Sequence, residues 1–402
     1  MKKEYFRLFL KDTPLCIFSR KFGFNESGNV RNFIEIEKIE TQNKFLFPFA
    51  IRENITSASL ESWLYSRITP MGKNLLKAAG GDPNDPLYKI EITRLLSLND
   101  SFWVDYSETS STWEKINLYQ NDFSPEIGSI IFNNDFNKQI RMLERSPEYA
   151  SSKGNLRKCW IIRDKKRILI KADDMLDSGD GRSQVTAEWL ASQVANFLEL
   201  PHITYSLENF IHSNGKKELV CSCPIFTSED YGYVEAFNLT KIDPRRLRGQ
   251  DALAKILGKN DYANMMIFDS IIGNQDRHLG NFCALFDTST GKIVKMAPIF
   301  DNGLSLLVGC SKEELKDFSI WDKKRSGAIL DFDVMIKEFA HERHYNMLKR
   351  LLDFNFSNPP DVIPEKIIDT VTKFIKHRAK YIMQKIESSP TSYENNSPTL
   401  TM

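Results

Sequence analysis

The 402 residues carry 54 lysines and arginines against 53 aspartates and glutamates, a net charge of +1. So even a balance gives no global attraction to nucleic acid or to an anionic membrane, so strong nucleic-acid binding of its own is not expected and only a local basic patch has room. The length suits two or three structural units with sizeable cores, and no window approaches the ~18 apolar residues of a membrane span. Six cysteines without a CxxC pair fit reduced thiols in a cytoplasmic protein. The opening apolar run is broken by Glu4, Arg7 and Lys11, which is not the pattern of a signal peptide.

Residues 1–137 read as a first unit of α+β type. Tyr5–Leu10 and Pro14–Ser19 predict an opening hairpin, and helical periodicity runs over 57–76 and 87–96. Phe102 to Val104, Trp113 and Tyr119 continue an aromatic-rich mixed region. Gly80-Gly81-Asp82-Pro83 is turn punctuation rather than a phosphate loop, because no strand precedes it. With no catalytic constellation, this unit reads as an accessory domain for docking or packing.

A second unit spans 138–226. The polar cluster near 132–137 marks the boundary, and a short helix is expected at 139–145. The loop Ser151-Ser152-Lys153-Gly154-Asn155-Leu156-Arg157-Lys158 leads into a strand at Cys159–Arg163. Small residues, a glycine and two lysines suit a flap over nucleotide phosphates, and equally suit an ordinary surface loop. Ile168–Lys171 returns as the next strand, ending on Lys171. Over 183–200, Leu190, Val194 and Leu198 form an apolar stripe. Glu188 lies beside the small Ala191 and Ala195, so the helix can approach the sheet and Glu188 can reach Lys171. Asn214-Gly215 joins two more strands, 203–211 and 219–226, as a hairpin. Chain order puts Ile225 and Phe226 where a hinge backbone would read adenine.

The third unit, 227–387, is expected to be mainly helical, with a disordered Ser, Pro, Asn and Thr-rich tail at 388–402. An amphipathic segment at 261–272 feeds Asp276-Arg277-His278-Leu279-Gly280-Asn281. A hairpin follows, then Asp301-Asn302-Gly303. An aspartate with an asparagine at i+5 and a further aspartate beyond a hairpin matches the needs of phosphoryl transfer, with one carboxylate for the incoming hydroxyl and two oxygen donors for magnesium. Magnesium prefers few protein carboxylates plus phosphate oxygens, so Asn281 and Asp301 suffice. The bland alternative is a polar loop whose Asp and Asn cap turns. The charged stretch 312–326, with Lys323-Lys324-Arg325, is the natural activation or substrate segment.

The pattern D-x-H-x-x-N, then a hairpin and A-P-x-x-D, resembles the HipA-like serine/threonine kinase family over roughly 146–386. The resemblance implies an α+β, two-lobed protein-kinase-like fold, with a mixed β upper lobe, a helical lower lobe and the N-terminal accessory domain. It implies ATP and Mg2+ as cofactors, Asp276 as catalytic base, and Asn281 and Asp301 as metal ligands. His278, Lys171, Glu188, Ile225 and Phe226 then belong to the ATP site, as do Ser151, Ser152, Gly154 and Lys158 of the S-x-x-G-x-x-x-K loop. Ser151 would be the autophosphorylated residue, with Ser152 its neighbouring alternative. A protein substrate and an antitoxin-like partner are the partners it implies. The D-R-H-x-x-N string is also similar to that of phosphatidylinositol kinases, and Asp301-Asn302-Gly303 departs from their Asp-Phe-Gly. A catalytically silent binding module with the same fold is the third reading.

Overall fold

The computed structural model describes residues 3–24, 30–133, 146–151, 156–173, 182–212 and 215–388. Ser152, Gly154, Asn214, the helix expected at 139–145 and the tail beyond 388 lie outside the described residues.

The N-terminal sheet is antiparallel, in the order β3-β2-β1-β4, built from β1 (Glu4–Leu10), β2 (Thr13–Phe24), β3 (Val30–Ile39) and β4 (Phe102–Tyr106). β3 was not expected, although Ile34 and Ile36 alternating with Glu35 and Glu37 is a strand signal. The run 57–76 divides into α1 (Ser57–Arg67) and α2 (Pro70–Ala78). Pro70 disfavours helix at the residue before it and opens the next helix at its first position, where Thr69 Oγ1 accepts the Gly72 N–H at 2.8 Å. The helix expected at 87–96 shrinks to α3 (Ile90–Thr93), because Lys89, Arg94 and Leu95 take left-handed backbone. The apolar periodicity there reports burial of Leu87, Ile90 and Leu95, not helix. Short helices α4 (Trp113–Ile116) and α5 (Pro125–Phe132) close this region.

The second sheet has the order β5-β6-β8-β7, from β5 (Lys158–Arg163), β6 (Lys166–Ala172), β7 (Ser206–Ile211) and β8 (Lys217–Pro224). Helix α6 (Gln184–Phe197) packs on β7 and β8, and starts where Ser183 Oγ accepts the Thr186 N–H. A third sheet, β11-β10-β9, joins β9 (Tyr231–Glu235), β10 (Cys283–Asp287) and β11 (Ile293–Met296). β9 corrects the helical expectation after Phe226: Ala284 on β10 pairs with Val234 on one side and Met296 on the other.

The rest is helical: α7 (Leu247–Leu257), α8 (Lys259–Ile272), α9 (Lys312–Lys316), α10 (Ser319–Lys324), α11 (Phe332–Phe339), α12 (Glu342–Leu351) and α13 (Glu365–Ser388). Helix α8 ends at Gly273, whose φ of +65° and close approach to the Trp321 ring admit no side chain. One continuous apolar core runs from Phe6 and Leu8 through Leu190 and Val194 to Ile271 and Val371, so the N-terminal region packs into the same core as the helices.

Candidate active site

A cavity of about 1060 Å³ is lined on one hand by β5, β6 and the end of β8, and on the other by the loop after α8. Lys158, Lys171, Asp276, Asn281 and Asp301 all face it. So do Ser151, Ile225, Phe226 and His278, while Glu188 is fully buried behind Lys171. Residues spread over 150 positions of sequence are therefore gathered around one volume.

Register explains the first pair. Lys171 stands opposite Lys158 in the β5–β6 ladder and opposite Cys221 across β8, which places it on an interior strand of the sheet. The Lys171 Nζ donates to Glu188 Oε1 at 2.7 Å and to Asp301 Oδ1 at 3.0 Å, with Tyr205 Oη at 3.3 Å. Burial disfavours the ammonium, but Asp301 and Glu188 overrule it and hold the Lys171 pKa well above the usual lysine range. Glu188 Oε2 accepts the Asn302 N–H at 2.8 Å, so one carboxylate fixes both the lysine and the Asp301 loop. Burial would raise the Asp301 pKa, yet Lys171 and Lys158 hold that carboxyl well below its ordinary range, so it is anionic at neutral pH. Asp301 has φ +59°, an uncommon conformation that Asp tolerates better than most residues and that such sites concentrate.

The loop after α8 is tied from inside. Asn274 donates to Asp269 Oδ1 at 3.0 Å and accepts the Asp276 N–H at 3.0 Å. The Asn281 Nδ2 reaches the Asp276 carbonyl at 2.8 Å and Oδ2 at 3.3 Å, so the two ends of the motif converge as the spacing predicts. With Nδ2 turned to Asp276, Oδ1 is the atom Asn281 has for a cation. Asp276 is half-buried and its pKa is raised, chiefly by that burial and against the pull of His278. Exposed His278 accepts the Gly280 N–H through Nδ1 at 3.0 Å, bracing the loop.

Three contributors were not read from the sequence. Arg277, fully buried, binds Asp269 through Nε and Nη2 at 3.0 and 3.1 Å, the Asn281 and Phe300 carbonyls at 2.7 and 2.5 Å, and Asn302 Oδ1 at 2.6 Å. It clamps the Asp276–Asn281 loop to the Asp301 loop. Its place inside the D-R-H string was the available signal. Tyr205 touches Lys171, and nothing in its sequence context marks it.

The third is the N-terminal region, which does reach the cavity through Leu98 and Asn99. Its Leu98 N–H donates to Ser151 Oγ at 2.7 Å, its Leu98 carbonyl accepts from Thr227 Oγ1 at 2.5 Å, and its Asn99 carbonyl accepts the Tyr233 N–H at 2.8 Å. The turn residues of Ser97-Leu98-Asn99-Asp100-Ser101 were the only hint. At the expected hinge, Ile225 and Phe226 line the cavity, and the Ile225 N–H is engaged with the Arg167 carbonyl at 3.0 Å.

The chemistry this arrangement can perform is that of an anion-binding, metal-competent cleft with a raised carboxylate beside it. Among solved structures, the fold matches HipA of Shewanella oneidensis MR-1, from its toxin–antitoxin complex with HipB and operator DNA, at TM-score 0.54 and 11% identity, covering 96% of this chain and 100% of that one. The Helicobacter pylori proinflammatory kinase CtkA is similar at TM-score 0.48 and 18% identity, over 60% of this chain and 93% of that one. No protein-family model matches the sequence, and no curated protein does. The chain has the HipA fold.

Proposed function

We propose that this chain is a HipA-like serine/threonine protein kinase that transfers the γ-phosphate of ATP to a protein hydroxyl, with magnesium. The observation that carries the reading is the buried Lys171–Glu188 pair, 2.7 Å apart, set in one cavity with Asp301, Asn281 and Asp276. In this reading the cavity divides two lobes, with β5 to β8 and α6 above and the helices from α7 onward below. The apolar wall around Leu169 and Phe226 takes the adenine, and Lys171 and Lys158 take the phosphates.

The donor set fits magnesium. Asp301 is held anionic, Asn281 presents an amide oxygen, and among the described residues no three His, Cys, Asp or Glu gather into an all-protein cage. When bound, the metal would neutralise charge on the phosphates. Asp276 then orients the acceptor hydroxyl and takes its proton, a role its raised pKa suits. Lys171 is held ready by Glu188, and Arg277 keeps the base loop and the metal loop in register.

The same reading includes a cytoplasmic location and an antitoxin-like partner, on the likeness of fold to a HipA complexed with HipB. Self-regulation by phosphorylation at Ser151 also belongs to it. That hydroxyl is buried against Leu98 and Ser97, so Ser151 must leave the N-terminal region before it is modified.

Radiolabelled ATP with pools of protein and of phosphoinositide tests the reading. Label in protein is expected. Label only in lipid would make this a lipid kinase, and nucleotide binding without transfer would make it a silent module. In calorimetry, Asp301→Ala is expected to weaken Mg-ATP binding far more than metal-free ATP binding, and equal losses would move the metal elsewhere.

A further inference from the structure

We propose that the surface formed by 237–248, at the mouth of the cavity, docks an acidic stretch of the protein substrate that also carries large apolar side chains. This deepens the kinase reading and rests on it. The chain as a whole is nearly neutral, yet 239–250 holds Lys241, Arg245, Arg246 and Arg248 against the single carboxylate of Asp243. Asp243 is already taken by Arg245 through two bonds of 3.1 Å, and Arg246 and Arg248 make no ion pair within 4 Å among the described residues. Interleaved with these cations are Phe237, Ile242 and Leu247, each about half exposed. Large apolar side chains held in water beside Arg246 and Arg248, which make no ion pair among the described residues, are the composition of a contact surface, not of a solvated face. The first turn of α7 carries no acid to offset its positive end, which reinforces the sign.

The patch is built on the machinery it would serve. Asp243, Pro244 and Arg245 line the cavity, with Asp276 and His278. The Phe237 N–H donates to the Leu279 carbonyl at 3.4 Å, inside the Asp276 loop. The turn itself is rigid: buried Gln250 donates to the Pro244 carbonyl and accepts from Tyr262 Oη at 2.5 Å. A Cβ on Gly249 would collide with the Asp243 carbonyl. Tyr262 lies on α8, the helix that ends in the Asp276 loop, so the cations and the candidate base are fixed to one element. A chain lying on the patch would enter the cavity beside Asp276. The apolar members and the nearness to the cavity favour a peptide over a nucleic acid, which would need a longer cationic track and offers no use for Ile242 and Leu247.

The test uses the full chain and its Arg246→Glu/Arg248→Glu double variant, neither residue being in the cavity wall. The probe is a fluorescein-labelled peptide of alternating glutamate and leucine around one serine. Controls are the same peptide with lysine for glutamate, and a single-stranded RNA. Anisotropy is expected to give binding of the acidic peptide only, weakened about tenfold or more in the double variant and by added salt. Calorimetric Mg-ATP binding is expected to be unchanged. Ile242→Ser/Leu247→Ser supplies a second variant that keeps the charge and is expected to weaken the same peptide. Equal binding of the acidic and basic peptides, unaltered binding in both variants, or tighter binding of the RNA would overturn the proposal. Peptide binding is read without turnover, so a chain that binds the peptide but neither binds nor uses ATP would fail the kinase reading and leave the docking surface standing.

Discussion

Two buried ionic clusters sit within one loop of each other and differ in kind. Around Arg277, one guanidinium meets one carboxylate, Asp269, both fully buried, and its remaining N–H groups are met by Asn281, Phe300 and Asn302. Charge is balanced and the donors are engaged, so the cluster can only hold a shape. Around Lys171, one ammonium faces two carboxylates, Glu188 and Asp301, and the second of these is partly open to the cavity. Lys158, across the ladder, adds a second ammonium on the side that opens to the cavity, so charged groups of both signs face it. The difference separates scaffold from candidate site: a closed network fixes geometry, and one left open to a cavity is where the proposed metal and nucleotide phosphates would bind.

Arg277 should matter most for stability. Arg277→Ala would leave Asp269 buried without a counter-charge, and we expect a loss of about 3–5 kcal/mol in urea unfolding. That is a large share of the ~5–15 kcal/mol a domain holds in total. A loss below about 1 kcal/mol would mean that the cluster does not clamp the two loops.

At Asp276 the expected effect is on rate. Asp276→Asn keeps the shape of the loop and removes the proton acceptor, so turnover should fall about 10²–10⁴-fold with Mg-ATP affinity nearly unchanged. Single-turnover kinetics beside equilibrium binding measures both. Full activity in the variant would end its assignment as base.

For the open cluster, Lys171→Met is expected to lower both nucleotide affinity and rate. Joined with Glu188→Gln in a double-mutant cycle, the losses should fall short of additive by about 0.5–3 kcal/mol, because residues in one ion pair share their effect. Strict additivity would show that Glu188 does not act through Lys171.

What the sequence revealed of the site follows from distance along the chain. Asp276 and Asn281 are five apart, and Asp301 returns through one hairpin, so their convergence is a local matter of loop and turn. Lys171 and Glu188 follow from a strand meeting the next helix. Arg277 was visible only as a letter between two others, because its role depends on which carbonyls two separate loops bring to it. For Leu98 and Asn99 the turn residues around them signal only a loop, because they meet Ser151 and Tyr233 across more than 50 and 130 positions. In the fold, the β5–β6 and β7–β8 hairpins were legible from alternation and turn residues. β9 was not, since five residues containing a glycine gain their strand character from pairing with β10. The break at Pro70 is legible from the proline itself, whereas the left-handed backbone at Arg94 and Leu95 has no signal in residue type.

The smallest expected effect concerns Lys158, which lies across the ladder from Lys171 and shares its cavity. Burial disfavours its charge and Lys171 repels it; Asp301 offsets part of this, and the Lys158 pKa falls from the usual lysine range to about 8. Below that pH the side chain is an ammonium, and above it an amine. Phosphates favour the charged form, so the lowered pKa makes metal-free ATP affinity fall as pH rises through about 8, by at most about tenfold per pH unit. At pH 7 the effect should be near zero. Calorimetry in buffers of different ionisation enthalpy is expected to show proton uptake on binding above that pH and little below it. Lys158→Arg should flatten the pH dependence, because a guanidinium stays charged throughout. Lys158→Met should flatten it at the lower, high-pH affinity. A pH profile in either variant that matches the parent chain would assign the titration to another group and take Lys158 out of contact with the phosphates.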